Sequence, residues 1–189
     1  MLKRKEKILI SALELLNEKG VFGVTTRNLA EKEGVSEPAL YRQFKDKQAI
    51  IDQILIEFSS YDEKIENTIL EMKMPLKEAI YYYLERYGEL YQNYSELTTV
   101  LYSMDIYFYH EDNKAFFKAN MERRIQFLEE ILESGDVESL FGKQVSKRGL
   151  AEQIMGIVFF QTFMWRLEAR GDDLIERILS QLKLMIAET

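Results

Sequence analysis

The side chains best able to do polar chemistry crowd into one short stretch, VSEPALYRQFKDK, from Val35 to Lys47. Ser36, Glu37, Tyr41, Arg42, Lys45 and Lys47 stand close together there, directly after Gly34. They offer hydrogen-bond donors, acceptors and cations, but no nucleophile beside a base, and the rest of the sequence supplies none either. It has no cysteine, which removes disulfide and thiolate chemistry. Its single histidine, His110, argues against zinc or di-iron centres, which gather two or more. No phosphate loop is recognisable. The chemistry is recognition rather than turnover, with no metal, no cofactor and no enzyme activity expected.

What would be recognised follows from the charge. The chain of 189 residues has a net charge of −7, yet residues 1 to 48 hold ten Lys/Arg against seven Asp/Glu, a net of +3. The remainder holds 15 basic and 25 acidic residues, a net of −10. A positive head on a negative body points to a polyanion met by the head alone. The opening MLKRKEKILISALELL sets acidic residues inside its apolar pattern and is no signal peptide. The most apolar run, IMGIVFFQTFMW, includes Gln161 and is too short to span a bilayer. A cytoplasmic protein without membrane contact is expected.

The elements that position the polar stretch are short helices. In residues 3–19, Ile8, Ala12, Leu15 and Leu16 recur at helical spacing, and Gly20 ends that helix. Thr25 caps a second helix with Leu29 and Ala30 inward, and Gly34 terminates it. Ser36 caps a third, EPALYRQF, where Pro38 is tolerated because first-turn amides have no helical partner. Leu40 and Phe44, four apart, turn inward. Two short helices joined at Gly34–Ser36, on a supporting first helix, are the pattern of a helix-turn-helix. Longer helices follow at 47–72, 76–93, 95–104, 112–134, 148–170 and 173–187, with a loop at 135–146. The fold class is all-α, about nine helices. Residues 1–48 are expected as a small DNA-reading unit and 49–189 as a larger helical bundle, whose apolar and tyrosine-rich stretches suggest ligand binding and dimerisation.

The run TTRNLAEKEGVSEPALYRQFKDKQAI resembles the DNA-binding signature of the TetR (tetracycline repressor-like) family of transcription regulators. Thr25, Leu29-Ala30, Gly34-Val35-Ser36, Leu40-Tyr41, Phe44 and Lys47 carry the match, over roughly residues 5–55. Glu33 stands where alanine usually precedes the turn glycine, and Pro38 where glycine is frequent; Glu33 and Glu37 lower the positive potential near DNA. The resemblance implies that Ser36 to Arg42 enter the major groove. Glu37, Pro38, Ala39 and Arg42 then approach bases: Arg42 a guanine edge, Glu37 a cytosine amine, Pro38 or Ala39 a thymine methyl. Thr25, Thr26, Tyr41 and Lys47 are expected as phosphate clamps, and Arg27 at a phosphate or base edge. Other readings stand beside these. Tyr41 can be a core-edge aromatic, Glu37 a first-turn carboxylate, and Lys3, Arg4, Lys5 and Lys7 a solvated face or a minor-groove arm.

One such unit contacts few base pairs, so a homodimer on a near-palindromic double-stranded operator is expected. The helix around Ile154 to Trp165 is apolar on nearly every face, and the last helix carries a stripe of Ile175, Ile178, Leu179, Leu182 and Ile186. Paired with their symmetry mates, and with Gly156 allowing close approach, they would build a four-helix interface as in TetR relatives. The alternative makes this helix the centre of one bundle.

Residues 81–109 hold nine of the eleven tyrosines. Tyr83, Tyr87, Tyr91 and Tyr94 follow one helical face, and Met104, Met121, Phe127, Phe160, Met164 and Trp165 can complete a lining for an apolar or aromatic effector. Filling a large bundle is the other reading of the same residues. The segment Tyr107–Asn113 is expected as a loop with His110 in solvent. If a ligand binds, the resemblance implies that the fourth helix relays it and spreads the recognition helices. A protein partner in place of a small effector, as in TetR-like proteins that coordinate division with the chromosome, is the competing function.

Overall fold

The computed structural model describes residues 4–108, 111–142, 146–168 and 171–186. His110 and Lys3 fall outside the described residues. In order the helices are α1 (Arg4–Gly23), α2 (Thr26–Lys32), α3 (Glu37–Tyr41), α4 (Lys47–Glu71), α5 (Leu76–Asn93) and α6 (Leu97–Tyr102). They continue with α7 (Met104–Phe108), α8 (Glu111–Glu133), α9 (Val137–Phe141), α10 (Lys147–Leu167) and α11 (Leu174–Met185). All regular structure among the described residues is helical, as the composition predicts. The expected loop at 135–146 contains α9, capped by Asp136, which accepts from the Ser139 amide. Two helices replace the expected 95–104, and α8 begins inside the expected loop at 107–113.

The chain folds into two compact units, Met1–Tyr61 with Ser95–Lys118, and Asp62–Tyr94 with Ala119–Thr189. The first is larger than the stretch 1–48 because its core needs more wall than three short helices provide. Ile8, Ala12, Leu15 and Leu16 of α1 meet Leu29 of α2, Leu40 and Phe44 around α3, and Ile50, Ile51 and Ile54 of α4. Val100, Ile106 and Tyr107 close the same core. Polar ties fix that wall. Thr99 donates to Asn17 at 3.0 Å, Gln48 to Asn113 at 3.1 Å, and Tyr107 to the Val100 carbonyl at 2.5 Å.

Two glycines set the geometry of the first unit. Gly20 takes φ 66°, ψ −173°, a region open in practice to glycine alone, and bends α1 where the sequence places its end. Gly34 takes φ 64° in the turn between α2 and α3.

In the second unit α11 packs on α5 and α10. The contact is close at Gly88, where an added Cβ would lie 3.1 Å from Ile175 Cγ1. The Leu174 amide donates to Gln92 at 2.7 Å, and the Trp165 indole to the Asp172 carbonyl at 2.8 Å. At the centre stand Tyr83, Tyr87 and Tyr91, all fully buried along α5. Tyr87 donates to Asp62 Oδ1 at 2.5 Å, and Arg124 grips both Asp62 oxygens at 2.8 Å. The Arg124 guanidinium also lies 4.7 Å from the Tyr87 ring centre. Burial raises the phenol pKa values of all three tyrosines, so they stay neutral hydrogen-bonding groups.

Candidate nucleic-acid interface

The helix α3 has five residues and ends at Tyr41, with Arg42 as its C-cap, so it stops short of the expected EPALYRQF. Leu40 is 1% and Phe44 5% exposed, anchoring the element to the core. The opposite face is open: Ser36, Glu37, Pro38, Tyr41 and Arg42 are exposed, and Ala39 is half-buried. Ser36 holds the N-cap position without a side-chain cap bond. Tyr41, half exposed, is therefore no core-edge aromatic.

The start of α2 lies beside this face. Thr25 caps α2 by accepting from the Asn28 amide at 3.1 Å, and Asn28 returns a bond to the Gly23 carbonyl at 2.8 Å. Thr26 donates to Glu37 Oε2 at 3.2 Å and lies 3.4 Å from the Tyr41 hydroxyl. Arg27 is exposed. Glu33, half-buried, accepts from Ser11 at 2.5 Å, so this departure from alanine ties α2 back to α1.

Lys47 differs from expectation. Its ammonium is half-buried and donates to the Val21 carbonyl at 2.5 Å, and burial pushes its pKa down. It braces the α1–α2 corner, and any phosphate contact has to come from its remaining protons. Lys5 is likewise engaged, donating to Gln53 at 2.7 Å and lying 5.5 Å from the Phe44 ring centre. It is part of the face of α1 and not a free arm. Arg4 and Lys7 are exposed.

The family of bacterial regulatory proteins, tetR family, matches residues 8–54, the span that builds this face. Residues 8–54 thus carry a DNA-binding head of the tetR-family type. The class D tetracycline repressor of Escherichia coli is 47% identical over 53 residues, 28% of this chain and 24% of the repressor. The chain thus aligns with about a quarter of that relative's length. The nucleoid occlusion factor SlmA of Glaesserella parasuis is 39% identical over 83 residues, covering 40% of this chain and 41% of SlmA. The fold extends further than the sequence likeness. The transcriptional regulator FadR from Bacillus subtilis, in complex with stearoyl-CoA, superposes with a TM-score of 0.80 at 21% identity, over 97% of this chain and 98% of FadR.

Outside the TetR-type head, the expected lining residues separate. Tyr83, Tyr87, Tyr91, Phe127 and Trp165 are buried, and Met121 and Met164 half-buried. Tyr94, Met104 and Phe160 are exposed at 62%, 58% and 60%. Tyr94 misses the tyrosine face because it is the C-cap of α5 and leaves helical geometry, with φ −126° and ψ 63°. The buried tyrosines surround an ion pair, and an open groove of about 410 Å³ lies elsewhere in the second unit. It is lined by the end of α4, the start of α5 and α8, including Ile69, Leu76, Phe127 and Ile131, with Lys73 and Glu130 as charged members. Of the expected lining, Phe127 alone is among its residues.

The expected dimer residues also need correction. Ile178 and Leu182 are fully buried within their own protomer, so neither can meet a partner here. Ile175, Leu179 and Ile186 are half-buried. On α10, the other helix expected at the interface, an exposed apolar stripe runs through Gly156, Phe160, Phe163 and Leu167, and Leu184 is exposed on α11. Phe163 and Leu167 were legible as the continuation of Gly156 and Phe160 at helical spacing, a stripe hidden by apolar residues on every other face. No helix among the described residues is long and apolar enough to cross a membrane.

Proposed function

We propose that this chain is a TetR-family DNA-binding transcriptional regulator that works as a homodimeric repressor, released from its operator by a small apolar ligand. One observation carries the DNA reading: α3 buries Leu40 and presents Glu37, Pro38, Tyr41 and Arg42 on an open face. A helix that is anchored on one side and polar on the other suits the major groove. Arg42 pairs with a guanine edge, and Thr25 and Arg27 hold phosphates. The chain carries this function without catalysis.

The apolar stripe on α10 supports dimerisation. Phe160, Phe163 and Leu167 form one exposed line, which a second copy can cover through the same line across a two-fold axis. Such a dimer presents two α3 helices to successive turns of one duplex. The groove beside Ile69, Leu76, Phe127 and Ile131 has the size and apolar lining of a small-ligand site. A ligand there that prefers one position of α4, the helix running from Lys47 to Glu71, shifts the population of operator-competent dimers by its differential affinity.

A second reading has its own support. The likeness to SlmA extends over 83 residues, beyond the head, and the groove is open rather than enclosed. A regulator controlled by a protein partner would use such a surface. Light scattering on the protein with a specific duplex tests the shared part: the reading requires two chains per duplex and fails if one chain binds alone. Thermal shift against a panel of apolar carboxylates, aromatics and acyl compounds then separates the two controls. A stabilising compound that also weakens DNA binding supports the ligand, and a panel without effect favours the partner.

A further inference from the structure

We propose that Thr26 is a positioning residue for Glu37, so that choice of a cytosine in each operator half-site is a joint property of α2 and α3. This rests on the DNA-binding reading above. Thr26 opens α2, while Glu37 and Tyr41 stand four apart on α3 and so share a face. The Thr26 hydroxyl lies 3.2 Å from Glu37 Oε2 and 3.4 Å from the Tyr41 hydroxyl.

Proton counting gives this trio one direction. A carboxylate only accepts, and a threonine hydroxyl has a single proton. The Thr26 proton therefore goes to Glu37, and Tyr41 must donate to Thr26. The relay runs from Tyr41 through Thr26 to Glu37 Oε2. Both contacts are longer than the usual O–H···O range of about 2.5–3.0 Å, so the relay orients Glu37 weakly and leaves it available to DNA.

Two consequences follow for recognition. Thr26 has no proton left for a phosphate, whereas Thr25, which accepts from the Asn28 amide, keeps its own. The clamp at the start of α2 is Thr25, and Thr26 serves the reading residue. Glu37 Oε1 takes no protein hydrogen bond among the described residues and remains to accept from a base. In the major groove the donors are the amines of cytosine and adenine. Adenine sets its N7 acceptor beside that amine, which repels a carboxylate, while the cytosine edge offers the amine alone. A carboxylate already oriented by Thr26 loses less side-chain freedom on contact, so the preference is sharper than for a free glutamate.

Site selection from a random duplex pool with wild type, Thr26→Val, Thr26→Ser, Tyr41→Phe and Glu37→Gln tests the relay. Wild type should recover a near-palindrome with one cytosine preferred about tenfold in each half-site. Glu37→Gln should move that position to adenine, whose donor and acceptor match an amide. Thr26→Val should flatten the cytosine preference to about twofold while leaving the salt slope unchanged, Tyr41→Phe should weaken it in part, and Thr26→Ser should restore it. A palindrome without that cytosine overturns this inference alone. So does Thr26→Val weakening every sequence equally with a salt slope lower by about one, the mark of a phosphate clamp. A pool with no palindrome for wild type overturns the DNA reading and this inference with it.

Discussion

Arg124 grips Asp62 through two hydrogen bonds of 2.8 Å at the centre of the second unit, where neither side chain is exposed to solvent. The pair joins α8 to α4, and Tyr87 of α5 completes the Asp62 coordination. Three helices thus share one buried charge network, with Arg123 3.3 Å from the same carboxylate. Desolvation of both ions offsets much of their attraction, so the pair specifies the arrangement more than it stabilises it.

Removing one partner is therefore worse than removing both. Arg124→Met leaves the buried Asp62 carboxylate with only the Tyr87 hydroxyl and the more exposed Arg123 as partners and should cost about 3 kcal/mol in urea unfolding. Asp62→Leu with Arg124→Met should recover most of that loss. A double variant as unstable as the single one would show that the network stabilises by attraction rather than by mutual neutralisation.

Glu66, one turn along α4 from Asp62, is pushed up to about 6, chiefly by burial, with the Arg123 guanidinium pulling the other way. Its folded pKa exceeds the ordinary 4.5. Its contribution is thus fully present below that value and is lost as pH rises through about 6. Glu66→Gln should be more stable than wild type at pH 7.5, by less than about 1 kcal/mol because the variant also gives up the Arg123 guanidinium 3.6 Å away. The gap should close by pH 4.5. Thermal unfolding across that range measures it, and a pH-independent difference would refute the assignment.

Arg42 is exposed on the open face of α3. Arg42→Ala should cost about 1–3 kcal/mol per half-site and relax selectivity at one base pair. Anisotropy titrations on matched and mismatched duplexes read this. Equal losses on all duplexes would place Arg42 on a phosphate.

Phe160 stands 60% exposed in the middle of the α10 stripe. Phe160→Glu places like charges opposite each other across a two-fold axis and should give monomers by sedimentation, with helicity retained. Dimers of unchanged affinity would move the interface away from α10.

Much of the head was legible because its signals are local. Thr25 as a cap, Gly20 and Gly34 at positive φ, and Leu40 with Phe44 inward are each decided within a few residues. What Lys47 touches was not legible, since its Val21 partner lies across the fold. In the second unit Tyr83, Tyr87 and Tyr91 were rightly placed on one face, but spacing does not say whether a face lines space or an ion pair. A clue existed: Asp62 continues the buried register of Phe58, Ile65 and Ile69, and Arg124 that of Leu128 and Ile131. Charges at core positions of two helices signal a buried pair. The stripe on α11 misled because an apolar face is equally suited to its own bundle and to a partner.

The most direct test of the account is recovery of bound sites from a random duplex pool. The account predicts an inverted repeat whose half-site centres lie about one helical turn apart, roughly 10 base pairs. Recovery of unrelated sequences, or of single half-sites at full affinity, would contradict it.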